Sequence, residues 1–172
     1  MPFDLQPVLR GDLIVLRPLC ADDFDQLYAV ACDPLIWEQH PDNNRHERAI
    51  FQAFFTDALA SGGALVAIDS ATGMVIGSSR FSGYSEASSE IEIGWTFLAR
   101  PYWGGRYNGE MKRLMLEHAF RSVSRVVFLV GRDNIRSQRA LEKIGAVRVG
   151  TRFANGRESA VFAIASSDFA GR

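Results

Sequence analysis

Residues 90–112 constrain this chain most. Glu90-Ile91-Glu92-Ile93-Gly94-Trp95-Thr96-Phe97-Leu98 alternates polar and apolar residues with period two, the pattern of a strand with one buried face. Arg100-Pro101-Tyr102-Trp103-Gly104-Gly105-Arg106-Tyr107-Asn108-Gly109-Glu110-Met111-Lys112 follows. From there Tyr107, Met111, Leu114, Met115 and His118 recur at helical spacing. A strand, a glycine turn and a helix start make a ready anion site. The first amides of a helix lack partners inside it. The helix dipole adds about half a positive charge there, and glycines let a phosphate approach the backbone. A Gly-Gly turn before a helix is weak evidence alone, so the rest of the chain has to decide.

The chain has 172 residues, which suits a single domain over 1–172 with a sizeable core. An apolar fraction of 47% and a charged fraction of 23% are ordinary for a globular protein. With a net charge of -1, no global field recruits nucleic acid or an acidic membrane, so neither is an expected partner. Cys20 and Cys32 read best as two reduced thiols, which fits a cytoplasmic protein. No apolar run reaches the ~18 residues of a membrane helix. Met1-Pro2-Phe3-Asp4-Leu5 lacks the basic and apolar regions of a secretion signal. No His, Cys, Asp and Glu spacing matches a metal site.

The remaining elements follow from pattern. Leu13–Leu19 reads as a first strand. A helix starts at Ala21, with Phe24, Leu27, Tyr28 and Ala31 as its buried stripe, and stops at Asp33-Pro34. A second amphipathic helix runs from Arg45 to Ala60 and ends at Ser61-Gly62-Gly63. Ala64–Asp69 and Val75–Phe81 are strands that lead into Glu90–Leu98. The helix after the glycine turn spans about Arg106 to Arg121. Val126–Val130 is continuously apolar, as in a strand buried on both faces. Asp133-Asn134 start a helix through Ile144, and Val147–Phe153 with Ser159–Ala165 close the chain as a hairpin around Ala154-Asn155-Gly156-Arg157. The order β-α-α-β-β-β-α-β-α-β-β predicts an α/β (α+β) fold, a mixed sheet flanked by helices.

Three stretches resemble one family. They are Glu92-Ile93-Gly94-Trp95-Thr96-Phe97-Leu98, the turn Trp103-Gly104-Gly105-Arg106-Tyr107-Asn108-Gly109-Glu110, and Asn134-Ile135-Arg136-Ser137-Gln138-Arg139-Ala140-Leu141-Glu142-Lys143-Ile144-Gly145-Ala146. Together, over roughly residues 10 to 166, they are similar to the GNAT superfamily of acetyl-CoA-dependent N-acetyltransferases, above all its Rim-type branch of ribosomal-protein and small-amine acetyltransferases. The resemblance implies a mostly antiparallel sheet of about seven strands with four helices. It implies acetyl-CoA as co-substrate and direct attack by a primary amine, a protein N-terminus or a small molecule, in a ternary complex. It leaves room for a homodimer. One departure stands out: the family has Gly or Ala where Arg106 and Asn108 stand. That keeps open a CoA-binding member without catalysis, a sensor or partner protein. A phosphate-binding module of another class has no reason to carry the third stretch.

The same resemblance assigns candidate residues. Gly104, Gly105, Arg106, Tyr107, Asn108 and Gly109 would hold the pyrophosphate. The amide of Leu98 would face the thioester carbonyl, and Ser137 would protonate the leaving thiolate. Asn134 reads as a helix N-cap and could also touch the pantetheine arm. Glu92 is the expected general base: alternation puts Glu90 and Glu92 on one face and Ile91, Ile93 and Trp95 on the other. A half-buried carboxylate there has the raised pKa a base needs; the alternative is a solvated or ion-paired strand carboxylate. His118 reads as a packed core residue, His40 and His46 as loop residues, and Trp37, Trp95 and Trp103 as packing residues, Trp37 with a place in the acceptor pocket. Residues 33–62 and the closing hairpin would shape that pocket.

Overall fold

A computed structural model describes residues 2–154 and 156–169. Among these, the strands are β1 (Leu9–Arg10), β2 (Ile14–Pro18), β3 (Ala64–Asp69), β4 (Val75–Ser85), β5 (Glu90–Leu98), β6 (Arg125–Gly131), β7 (Val147–Ala154) and β8 (Arg157–Ala165). The helices are α1 (Phe24–Ala31), α2 (Arg48–Ser61), α3 (Arg106–Ala119), α4 (Ile135–Lys143) and α5 (Ser166–Phe169). The strands form one sheet in the order β1-β2-β3-β4-β5-β6-β8-β7. Every neighbouring pair is antiparallel except β5 and β6.

The alternation of the strands decides the two cores. On one face, Ile14, Leu16, Ile91, Ile93 and Phe128 pack with Met111 and Met115 of α3. On the other, Val66 and Phe97 pack with Leu27 of α1, Phe51 and Phe55 of α2, and Trp37. Burying each such side chain contributes roughly 1.5–3 kcal/mol.

The class matches the expectation; details differ for physical reasons. Among the described residues there are eight strands and five helices, because β1 and α5 are too short to show a period in sequence. The first helix begins as a 3-10 turn over Ala21–Asp23 and becomes α-helical at Phe24. Asp23 is held there by Arg17 at 2.7 Å and by the Cys20 amide at 2.8 Å. The second helix starts at Arg48, since Arg45 is tied back to Asp42 at 2.6 Å in the preceding turn. Cys20 and Cys32 are free thiols, both exposed.

Two features position the site. The parallel pairing of β5 with β6 covers Glu90↔Arg125, Ile91↔Val126 and Glu92↔Val127 and ends there, so the strands part beyond it. In the same region β5 carries a bulge: Ser78 faces Phe97, but Arg80 faces Gly94. Trp95 takes the extra space with φ +53°. The expectation that Trp95 joins Ile91 and Ile93 in the core is therefore corrected. The bulge resets the alternation, and Trp95 lies over Arg80, 4.4 Å from ring centroid to guanidinium, and 36% exposed.

Candidate active site

Where β5 and β6 part, a cavity of about 670 Å³ opens. β5 contributes Ile93 to Leu98 to its lining, β6 Phe128 to Gly131, α3 its first turns, and α4 residues from Ile135 to Lys143. Trp103 and Arg136 stack across it, 4.1 Å from guanidinium to ring centroid. Arg136 is aimed by a bond from its side chain to the Ile36 carbonyl, 3.1 Å, and from its amide to Gln39, 3.1 Å.

The glycine turn closes one end. Gly104 has φ +112° and Gly105 φ +106°, values that exclude a β-carbon without strain. Gly105 is the N-cap of α3, and no side chain caps it. The first intrahelical bond runs from the Gly109 amide to the Gly105 carbonyl, 2.8 Å, so the amides of Arg106, Tyr107 and Asn108 precede the hydrogen-bond ladder. A β-carbon on Gly104, Gly105 or Gly109 would meet nothing within 4 Å. Free amides, the helix dipole and open space above three glycines make a cradle that suits a pyrophosphate. Asn108 lines the cavity with Gly104, Gly105 and Gly109. The side chains of Arg106 and Tyr107 do not: Arg106 is exposed, and the Tyr107 ring packs edge-on against Tyr102 at 4.8 Å.

Leu98 has its backbone at the opening. Ala99 donates to Ile76 of β4, 2.8 Å, and successive amides along a strand point to opposite edges, so the Leu98 amide points away from β4. The Leu98 carbonyl, on the same edge, accepts from the Trp103 indole at 2.9 Å. Asn134 is the N-cap of α4, its side chain accepting from the Ser137 amide at 3.3 Å, and both residues line the cavity. The Ser137 hydroxyl has no partner among the described residues.

Glu92 sits on the last rung shared with β6, on the face of Arg80 and α2. Its carboxylate lies over Gly94, where an added β-carbon would be 3.0 Å from Oε2. Burial pushes its pKa up, against the pull of Arg152 and Arg80. Glu90 pairs with Arg125 at 3.5 Å, whereas Glu92 has no ion pair among the described residues. Glu92 is beside the main cavity and not in its lining. A second cavity of about 390 Å³ lies on the α2 side, lined by Asp42, Asn44, Arg45, Ile50, Phe54, Asp57 and Trp95. Arg45 and Trp95 line both.

The histidines divide. His118 packs on Phe3 and Phe81 and bonds the Asp4 carbonyl at 2.8 Å, away from the cavity. His46 stays in its loop, bonded to Asn43. His40 lines the main cavity, and burial with the nearby Arg45 lowers its pKa to about 4. Its Nδ1 accepts from the Asp42 amide at 2.9 Å and its Nε2 lies 3.5 Å from the Arg45 guanidinium, so neither ring nitrogen is free for base work. Trp37 is 2% exposed, donates to the Ala31 carbonyl at 2.8 Å and borders the main cavity.

Two functional-looking residues have no signal in the sequence. Lys112, between Met111 and Arg113, reads as an ordinary polar helix residue, yet it is 4% exposed and lines the cavity. Glu110 looks like a first-turn helix acid. Its carboxylate accepts the amides of Asp12, Leu13 and Ile14 at 2.7–2.9 Å and so fixes α3 to the start of β2.

The model of the acetyltransferase (GNAT) domain family matches residues 14–147. The chain belongs to that family and is an acyltransferase by it. No curated protein matches the chain in sequence. Among solved structures, a GCN5-related N-acetyltransferase from Brucella melitensis superposes with a TM-score of 0.84 at 23% identity, over 96% of this chain and 81% of the other. RimJ of Mycobacterium smegmatis, in complex with CoA-disulfide, gives 0.68 at 18% identity, over 94% and 87%. Spermidine N-acetyltransferase of Vibrio cholerae, in complex with CoA and spermine, gives 0.68 at 16%, over 93% and 99%. At these identities the likeness is one of fold. No helix of the described residues is long and apolar enough to cross a membrane.

Proposed function

We propose that this protein transfers an acetyl group from acetyl-CoA to a primary amine, by direct attack in a ternary complex. The observation that carries the reading is the parting of β5 from β6 over a cavity that ends on the Gly104-Gly105 turn and the free amides of α3. The turn from Gly104 to Gly109 would hold the pyrophosphate through backbone amides, with Arg106 and Tyr107 serving by their amides. The neighbour complexes with CoA-disulfide and with CoA support that use of the fold. Asn134 would steady the pantetheine arm in addition to capping α4. The Leu98 amide would stabilise the charge that develops on the thioester oxygen. Ser137, whose hydroxyl has no partner among the described residues, would protonate the leaving thiolate. Glu92 would take the amine proton, directly or through one water, its buried carboxylate being the stronger base for its raised pKa. The acceptor would come from the α2 side, through the cavity at Arg45 and Trp95.

A second reading, a CoA-binding member without turnover, has one observation in its favour: among the described residues, no Asp or Glu lines the main cavity. The experiment that separates them is calorimetric titration with CoA, then a screen of amines and N-terminal peptides that detects thiol release. One-site binding with turnover on some amine is the expected outcome. Binding with no acceptor selects the sensor, and no binding removes both.

A further inference from the structure

We infer that Lys112 is an acetyl acceptor of the protein's own cleft: its side-chain amine takes the acetyl group of a thioester bound there and becomes Nε-acetyl-lysine. The inference rests on the reading of the cavity as an acetyl-CoA site.

The placement of the amine carries it. Lys112 reaches from α3 to the point where the sheet splits. Its Nζ donates to Thr96 Oγ1 of β5 at 2.5 Å and stands 5.7 Å from the ring centroid of Phe128 of β6. Thr96, Phe128 and Lys112 all line the cavity. Buried lysines are normally paired with carboxylates. Among the described residues Lys112 has no such partner, and the only polar group it touches is a hydroxyl. Thr96 Oγ1, which accepts from Lys112, also shares a 2.8 Å hydrogen bond with Ser79 Oγ. Lys112 therefore enters this pair as a donor. The lone pair of its neutral amine stays available to the cavity.

The environment favours the nucleophile. Burial alone pulls the Lys112 pKa down to about 7, so near neutral pH a large fraction is free amine. A desolvated lysine is an activated nucleophile. In the reaction, Nζ bonds to the thioester carbonyl carbon and the carbon–sulfur bond breaks. Sulfur leaves with the electron pair, and the proton lost by Nζ passes to it as the thiol of CoA. The product amide keeps an N–H for Thr96 and no longer carries a charge that burial penalises.

The chain has two lysines, Lys112 and the exposed Lys143 at the rim of the same cavity, which makes the test clean. The purified protein is weighed by mass spectrometry as isolated and after incubation with acetyl-CoA, and its peptides are mapped. One acetyl group on Lys112, none on Lys143, and a rate independent of protein concentration are expected, as is slowing by excess CoA. An acetyl group already present on Lys112 alone is the same result. In ligand-free protein, trace labelling with acetic anhydride near neutral pH should modify Lys112 ahead of Lys143, and CoA should protect it. CoA binding is measured alongside by calorimetry. CoA bound with Lys112 unmodified overturns the inference and leaves the acetyl-CoA reading standing. Equal modification of both lysines, insensitive to CoA, also overturns it, while absence of CoA binding removes both.

Discussion

Lys112 costs the fold stability wherever its amine must carry a charge. Its folded pKa of about 7 lies below the ordinary 10.5. Between those values the unfolded chain binds more protons than the folded one, so stability rises with pH across that window. Below about 7 the penalty is constant, on the order of 5 kcal/mol at most. Lys112→Met should therefore raise stability at pH 7 by several kcal/mol and show a flatter rise toward pH 10. Urea denaturation at pH 7 and 9.5 checks this, and equal pH slopes in parent and variant would contradict it. Glu92 is the second residue to test. Glu92→Gln keeps shape and should keep CoA affinity while lowering turnover about 10²–10⁴-fold, the usual worth of a general base. Unchanged turnover with the acceptor found by screening would move the role elsewhere.

At the scale of elements, the glycine turn separates two uses of glycine. Gly105→Val should lose both stability and CoA affinity, because φ +106° is strained for a branched side chain. Gly109 is helical with open space above it, so Gly109→Val should fold normally and lose only affinity. If it binds CoA like the parent, the phosphate lies elsewhere. Glu110→Ala should cost roughly 3 kcal/mol or more, since three amides at the start of β2 lose a charged acceptor together; a smaller loss in urea denaturation would mean that water replaces it. These elements also mark what was legible in advance. The period of β5, the helix α3 and the cap at Asn134 are local properties and could be read. The bulge at Trp95 depends on β4, the role of Glu110 on residues nearly a hundred positions earlier, and the burial of Lys112 on where β6 lies. Nothing in the one-dimensional pattern distinguishes Lys112 from a solvated helix lysine. Alternation points to Glu92 but carries no information on the cavity lining, which passes just beside it.

At the scale of the whole molecule, a ligand that binds only the folded state stabilises all of it. CoA at a hundredfold over its dissociation constant should add about 2.7 kcal/mol to unfolding, read as a thermal shift. The parted strands add a different consequence. A sheet that splits in its middle has two further edges, and they face each other inside the protein. Exposed edges are the places where sheets recruit stray strands. Here the recruitable edge runs along Thr96 to Leu98 and is shielded from other chains by α3, α4 and the Trp103–Arg136 stack. An arm that carries amides of its own can lie on that edge as a short surrogate strand and pair with the Leu98 amide, which points away from β4. On the acetyl-CoA reading, the bound arm would continue the ladder that β5 and β6 leave off after Glu92 and Val127. Hydrogen exchange at the Leu98 amide should slow sharply with CoA bound, while the paired amides of Glu90 to Glu92 hardly change.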